Sequence, residues 1–134
     1  EPHRMEGHSL LPLLRGGEAP ARDAVFAETD YAHRAARHTL GRGVDESRGY
    51  MVRTDRWKYL FWEGFRPQLF DLAEDPLERV DLGADPAHAA TRAELHERLF
   101  AWLRARRTRT TLSDDEVARR TDGSRKRGFI IGVW

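Results

Sequence analysis

Three apolar, aromatic-rich runs follow one another between Tyr50 and Leu72 with very little chain between them. Tyr50–Thr54 leads through the tight turn Thr54-Asp55-Arg56 into Trp57–Trp62, and Glu63-Gly64 turns the chain again before Gln68–Leu72. Connections this short join neighbouring antiparallel strands, so the stretch is predicted to be a β-meander. Along the central run Trp57, Tyr59 and Phe61 share one face, and Lys58, Leu60 and Trp62 share the other. Aromatic rings on both faces predict a helix against one side and more protein against the other. Ala24–Tyr31 alternates as well and adds a fourth strand, with Val25, Ala27, Thr29 and Tyr31 facing one way and Phe26, Glu28 and Asp30 the other.

Helix signals flank this sheet. His8–Leu14 reads as a short apolar helix closed by Gly16, a residue that tolerates the left-handed conformation of a helix end. Asp75-Pro76-Leu77-Glu78 has a capping residue, a proline for the first helical position and an acid that can reach back to the cap, and so predicts a helix start. Asp85-Pro86 repeats the signal ahead of a long helix, predicted from Pro86 to about Arg107, with Leu95, Leu99, Trp102 and Leu103 as its apolar stripe. Ser113 and Glu116 form a capping box for a helix over Ser113–Thr121, followed by a polar linker, Asp122–Gly128, and an apolar end, FIIGVW. The fold class is α+β: a small antiparallel sheet of about four strands covered by a long helix, with a short helix and an apolar tail after it. Residues 1–111 are expected to form the sheet-and-helix subdomain and 112–134 an extension for oligomer or interdomain contact.

Composition removes several function classes. The 134 residues carry 23 basic and 22 acidic side chains, a net charge of +1, so no overall field favours nucleic acid or an acidic membrane. There is no cysteine, which excludes disulfides, thiolate metal sites and a cysteine nucleophile from these residues. No apolar run reaches membrane-spanning length, and no signal peptide is visible at Glu1-Pro2-His3, an opening that reads as a cut inside a longer protein.

The polar loop Ala32–Ser47 holds the richest cluster of anion-attracting side chains, His33, Arg34, Arg37 and His38. Its histidines, five residues apart, match no metal-ligand spacing. Glu94, His96 and Glu97 on the long helix form no H-E-x-x-H motif and are expected to face solvent. Asp71, Asp75 and Asp81 lack the glycine and terminal glutamate of a calcium loop. Ser9 and Ser47 have no identifiable histidine and acid partners. The basic runs Arg104–Thr110 and Arg125–Arg127 lack interleaved aromatics, which makes nucleic-acid binding the weakest of the readings. No catalytic or metal-ligating residue is therefore assigned. Phe129, Ile130, Ile131, Val133 and Trp134 are the interface candidates, because an apolar end after a charged linker docks on its own domain or on a neighbour. A stand-alone interaction module using that tail is the alternative reading.

The succession GHSLLPLLRG, AVFAETDY, RGYMVRTDRWKYLFW and QLFDLAEDPLERVDL, then a long helix, resembles the C-terminal portion of the sulfatase family within the alkaline phosphatase superfamily. The ending, RRTRTTLSDDEVARRTD and GFIIGVW, resembles that of bacterial phosphonate monoester hydrolases. The resemblance implies an intact enzyme that hydrolyses phosphate, phosphonate or sulfate esters with a divalent metal and a formylglycine made from an upstream cysteine. Nucleophile and metal ligands would lie in an N-terminal catalytic domain, and the present residues would be an inactive scaffold with no cofactor of their own. A bacterial, cytoplasmic protein and a homo-oligomer joined through the apolar tail are expected with it, and the loop with His33, Arg34, Arg37 and His38 either touches the substrate's anionic group or is simply solvated.

Overall fold

A computed structural model describes residues 7–18, 22–106 and 111–125. The chain divides into two compact units, Ala21–Arg104 and a second drawn from the segments on either side of it.

Ala21–Arg104 holds a single antiparallel sheet of four strands in chain order: β1 (Val25–Asp30), β2 (Arg48–Arg53), β3 (Trp57–Trp62) and β4 (Gln68–Asp71). The meander is as the turn spacing requires, because each strand pairs with its sequence neighbour. Register places Phe26 opposite Val52, Val52 opposite Tyr59 and Tyr59 opposite Leu69, a continuous apolar row across all four strands. That row faces the long helix. Asp85 accepts from the Ala87 amide at 2.9 Å, Pro86–His88 winds one tight turn, and α3 follows over Ala89–Ala105; between Val25–Asp30 and Arg48–Arg53 lies a shorter helix, α2 (Ala35–Thr39). Leu95 and Leu99 of α3 are buried against Val52, Tyr59 and Leu69, with Phe26, Phe61, Phe100 and Trp102 packed around them. Phe26 stacks on Trp102 with ring centroids 4.9 Å apart, which ties β1 to the end of the helix. The inward residue of β1 is thus Phe26, while Val25 and Ala27 are exposed.

Three sequence expectations are corrected in this unit. Asp75-Pro76 opens no helix. Its carboxylate accepts from the Arg79 and Val80 amides at 2.5 and 2.8 Å, and Glu78 takes a left-handed φ of 56° while its carboxylate pairs with Lys58 at 2.6 Å. The result is a clamped loop, because a left-handed residue cannot propagate helical hydrogen bonds. The loop 32–47 is not structureless, since it contains α2. His96 does not face solvent. Its Nδ1 lies 2.9 Å from the Tyr59 hydroxyl, and its ring packs on Phe61 and Phe100, whereas Glu94 and Glu97 are exposed as expected.

In the second unit the predicted first helix is the single turn α1 (Leu11–Leu14), closed at Gly16 with φ 77°. Its leucines are exposed, Leu14 by 81%. The last helix runs over Asp114–Arg125, with the Ser113 hydroxyl accepting from the Glu116 amide at 3.2 Å. Glu116 turns its own carboxylate to Arg119 and Arg120. Residues 122–125 are therefore helical and not linker, and the apolar segment Phe129–Trp134 lies outside the described residues.

Candidate functional site

The face of the sheet opposite α3 carries the features most suggestive of a contact. Its pairing row Thr29–Gly49–Trp62 has a glycine in the middle, and this absence of a side chain decides the local shape. A Cβ on Gly49 would stand 2.4 Å from the Trp62 ring, so the indole lies flat across the β2 backbone. There it meets Tyr31 edge-on at 6.1 Å and donates from Nε1 to the Gln68 side-chain oxygen at 3.2 Å. Ala36 and Leu40 of the α2 region and Phe65 after β3 complete the walls of a concavity of about 590 Å³.

The rim is polar but internally paired. Arg66 bonds Asp81 at 3.1 Å, and the other oxygen of that carboxylate accepts from the Leu69 and Gly83 amides. Arg42 lies over the Phe65 ring at 5.3 Å, in space left free by Gly64, whose φ of 72° also suits glycine. Among the described residues, two buried side-chain polar atoms have no hydrogen-bond partner, the Tyr31 hydroxyl and Arg42 Nε.

The predicted anion-attracting cluster sits beside this concavity, on and just before α2. Arg37 braces its own loop: Nε donates to the Ala32 carbonyl at 2.9 Å and Nη2 to His38 Nε2 at 3.1 Å, which requires the ring proton of His38 to sit on Nδ1. Arg37 and His38 are therefore brought together; of the four only Arg37 is partly buried, and His33, Arg34 and His38 are exposed. Sequence reading missed Tyr31, Trp62 and Phe65 as one group. The available signal was the second aromatic face of β3, and what hid the group was the register that sets Gly49 against Trp62.

Side chains of catalytic type are mostly committed to packing. Ser47 is fully buried, and its hydroxyl donates to the Gly43 carbonyl at 2.8 Å. Asp71 accepts three bonds from the Nε and Nη2 donors of Arg56, the shortest 2.8 Å. That pair, opposed by desolvation and helped by the Ala73 amide, holds the Asp71 carboxyl below its usual range and raises Arg56. Asp85 is likewise held low, first by the Ala87 amide and also by His88 at 3.2 Å. Burial raises the Tyr59 hydroxyl above its ordinary value. Among the described residues no group of three or more His, Cys, Asp or Glu side chains could hold a metal ion. Nor is any described helix long and apolar enough to cross a membrane.

Comparison with known proteins agrees with this architecture. The family profile described as N-sulphoglucosamine sulphohydrolase, C-terminal, matches residues 1–105. The phosphonate monoester hydrolase of Agrobacterium radiobacter is similar over 79% of this chain and 22% of its own, at 37% identity and a TM-score of 0.70. The phosphonate monoester hydrolase SpPMH of Silicibacter pomeroyi is similar over 82% of this chain and 23% of its own, at 25% identity and a TM-score of 0.72. Among curated proteins, the multifunctional alkaline phosphatase superfamily protein PehA of Trinickia caryophylli is 26% identical over 81% of this chain and 22% of its own length. The chain thus spans about a fifth of the relatives it matches. A sheet of this order under a single long helix, the profile match and these relatives together place the chain in the N-sulphoglucosamine sulphohydrolase C-terminal family, the C-terminal domain of sulfatases and phosphonate monoester hydrolases of the alkaline phosphatase superfamily.

Proposed function

We propose that these residues are the structural C-terminal subdomain of a hydrolase whose intact form cleaves phosphate, phosphonate or sulfate esters, and that alone they are inactive. The observation that carries this reading is the family match over residues 1–105 in a chain whose polar side chains of catalytic type, Ser47, Asp71, Asp85 and His96, each have a structural partner. The nucleophile, a formylglycine made from cysteine, and the ligands of a divalent metal belong to a catalytic domain outside this sequence, which has no cysteine.

The sheet and α3 brace that domain, and the loop with His33, Arg34, Arg37 and His38 forms one wall of its cleft. Exposed His33 and Arg34 there are free to meet an anionic ester, while Arg37 and His38 hold the loop in shape. The apolar segment with Phe129, Ile130, Ile131, Val133 and Trp134 joins subunits of a homo-oligomer.

The test compares the intact enzyme with a version lacking these 134 residues on aryl phosphonate, phosphate and sulfate esters. The reading expects turnover by the intact enzyme and its loss, with loss of soluble protein, in the shortened one. Undiminished turnover and stability after removal would refute it.

A further inference from the structure

We infer that residues 75–83 form a strap that shuts the outer edge of β4 against pairing with a second copy of this chain, and that the Asp81 carboxylate is its latch. β4 is the last strand of the sheet, so one side of its backbone has no neighbouring strand. The Leu72 amide donates inward to the Arg56 carbonyl at 2.6 Å, and by alternation Leu69 and Asp71 direct their backbone groups outward.

Those outward groups are met by residues further along the same chain. The Leu69 amide donates to Asp81 Oδ1 at 3.1 Å, and the Leu69 carbonyl accepts from the Leu82 amide at 2.8 Å. The Asp71 carbonyl accepts from the Asp75 amide at 2.7 Å, and Pro67, at the head of the strand, has no amide to offer. A side-chain oxygen thus stands where the carbonyl of a fifth strand would stand. Arg66 holds the other oxygen of that carboxylate at 3.1 Å, and the Gly83 amide donates to Oδ1 at 2.8 Å, which fixes its aim. Gly83 lets the strap lie this close, since a Cβ there would stand 2.1 Å from the Pro67 carbonyl oxygen.

A second copy is the partner that the bare edge itself specifies. Leu69 and Asp71 each offer a donor and an acceptor, so two such edges related by a two-fold axis satisfy one another. Leu69 and Phe70 are buried and apolar, and an uncovered apolar edge is the usual template for strand pairing between chains. The strap occupies that template within one chain.

The experiment compares Asp81→Ala with the parent in the intact protein, by amide hydrogen exchange and by mass in solution over a range of concentrations. In dilute solution the Leu69 amide of the variant should exchange at least about tenfold faster than in the parent. As concentration rises, its mass should exceed that of the parent and the Leu69 amide should regain protection. Asp81→Asn keeps an oxygen for both amides and should behave as the parent. Gly83→Ala, which pushes the strap from β4 and leaves the carboxylate in place, carries the same expectations as Asp81→Ala should that variant not fold.

Unchanged exchange at Leu69 would overturn the latch. Faster exchange with no rise in mass, or a rise in mass with no return of protection, would overturn the guarded edge. In the parent itself, urea below the unfolding range should release the Leu69 and Leu82 amides together, with the mass rising as they open; separate release, or release at constant mass, contradicts the inference without any variant.

Discussion

Truncating Leu99 to alanine tests whether α3 is seated on the sheet as described. Leu99 is fully buried, between β2, β3 and β4 residues that form the row Val52, Tyr59 and Leu69. The substitution removes three carbons, a transfer loss of about 2.5 kcal/mol at ~0.8 kcal/mol each. The site cannot collapse freely, because Tyr59 is held by its bond to His96 and Leu69 by the strand pairing. The cavity left behind therefore raises the expected loss to about 3–5 kcal/mol. A domain the size of Ala21–Arg104 has a total stability on the order of 4–13 kcal/mol, so the variant loses a large share of it.

Urea denaturation followed by tryptophan fluorescence reads this, with Trp57 and Trp62 on the sheet and Trp102 on the helix. Glu97→Ala is the control. Glu97 is exposed and pairs with Arg104 at the surface, so its removal should cost within about 0.5 kcal/mol. A Leu99→Ala loss under about 1 kcal/mol, or no larger than that of the control, would refute the packing of α3 on this sheet.

Other expectations follow from the same contacts. Gly49→Ala forces the Trp62 ring off β2 and should cost about 1–3 kcal/mol, with a shift in tryptophan emission; an unchanged spectrum and midpoint contradict the close approach. Tyr59→Phe leaves His96 Nδ1 without its partner and should cost about 1–2 kcal/mol in the same urea assay.

Burial raises the Tyr59 hydroxyl above its ordinary 10.0, so the folded chain keeps a proton that the unfolded chain releases; that contribution is full below pH 10.0 and declines above it. Stability measured against pH on the alkaline side should therefore fall less steeply in Tyr59→Phe than in the parent. Asp71 runs the other way. Its carboxyl is held below 3.8 by Arg56 in the fold, so its contribution is present above that pH and is lost as pH falls through the lower folded value. Acid titration of stability should show this loss in the parent and not in Asp71→Asn; identical slopes would refute it.

Local signals read well where they had a face to bury. The alternation of Trp57–Trp62 gave a strand with those bounds, and Asp85-Pro86 opened α3 because Leu95 and Leu99 follow at helical spacing and meet the sheet. The same dipeptide at Asp75-Pro76 opened nothing. The residues after it present no apolar stripe, Leu77 and Val80 are exposed, and capping alone does not offset helix nucleation.

His96 and the Trp62 concavity were illegible for a different reason. The partner of His96 is Tyr59, 37 residues earlier, and the shelf for Trp62 is Gly49 on the adjoining strand. Both depend on a pairing register that periodicity does not specify. The polar cluster was legible by composition, yet only the fold shows that Arg37 is partly buried, braces the loop and bonds His38, while His33, Arg34 and His38 are exposed.

Turnover by the purified 134-residue chain, supplied with divalent metal and offered aryl phosphonate, phosphate and sulfate esters, goes to the heart of the proposal that this is scaffold. The expected rate is that of the uncatalysed reaction in the same buffer. Multiple turnovers above that background, abolished by a substitution within these residues, would mean that the machinery lies here after all.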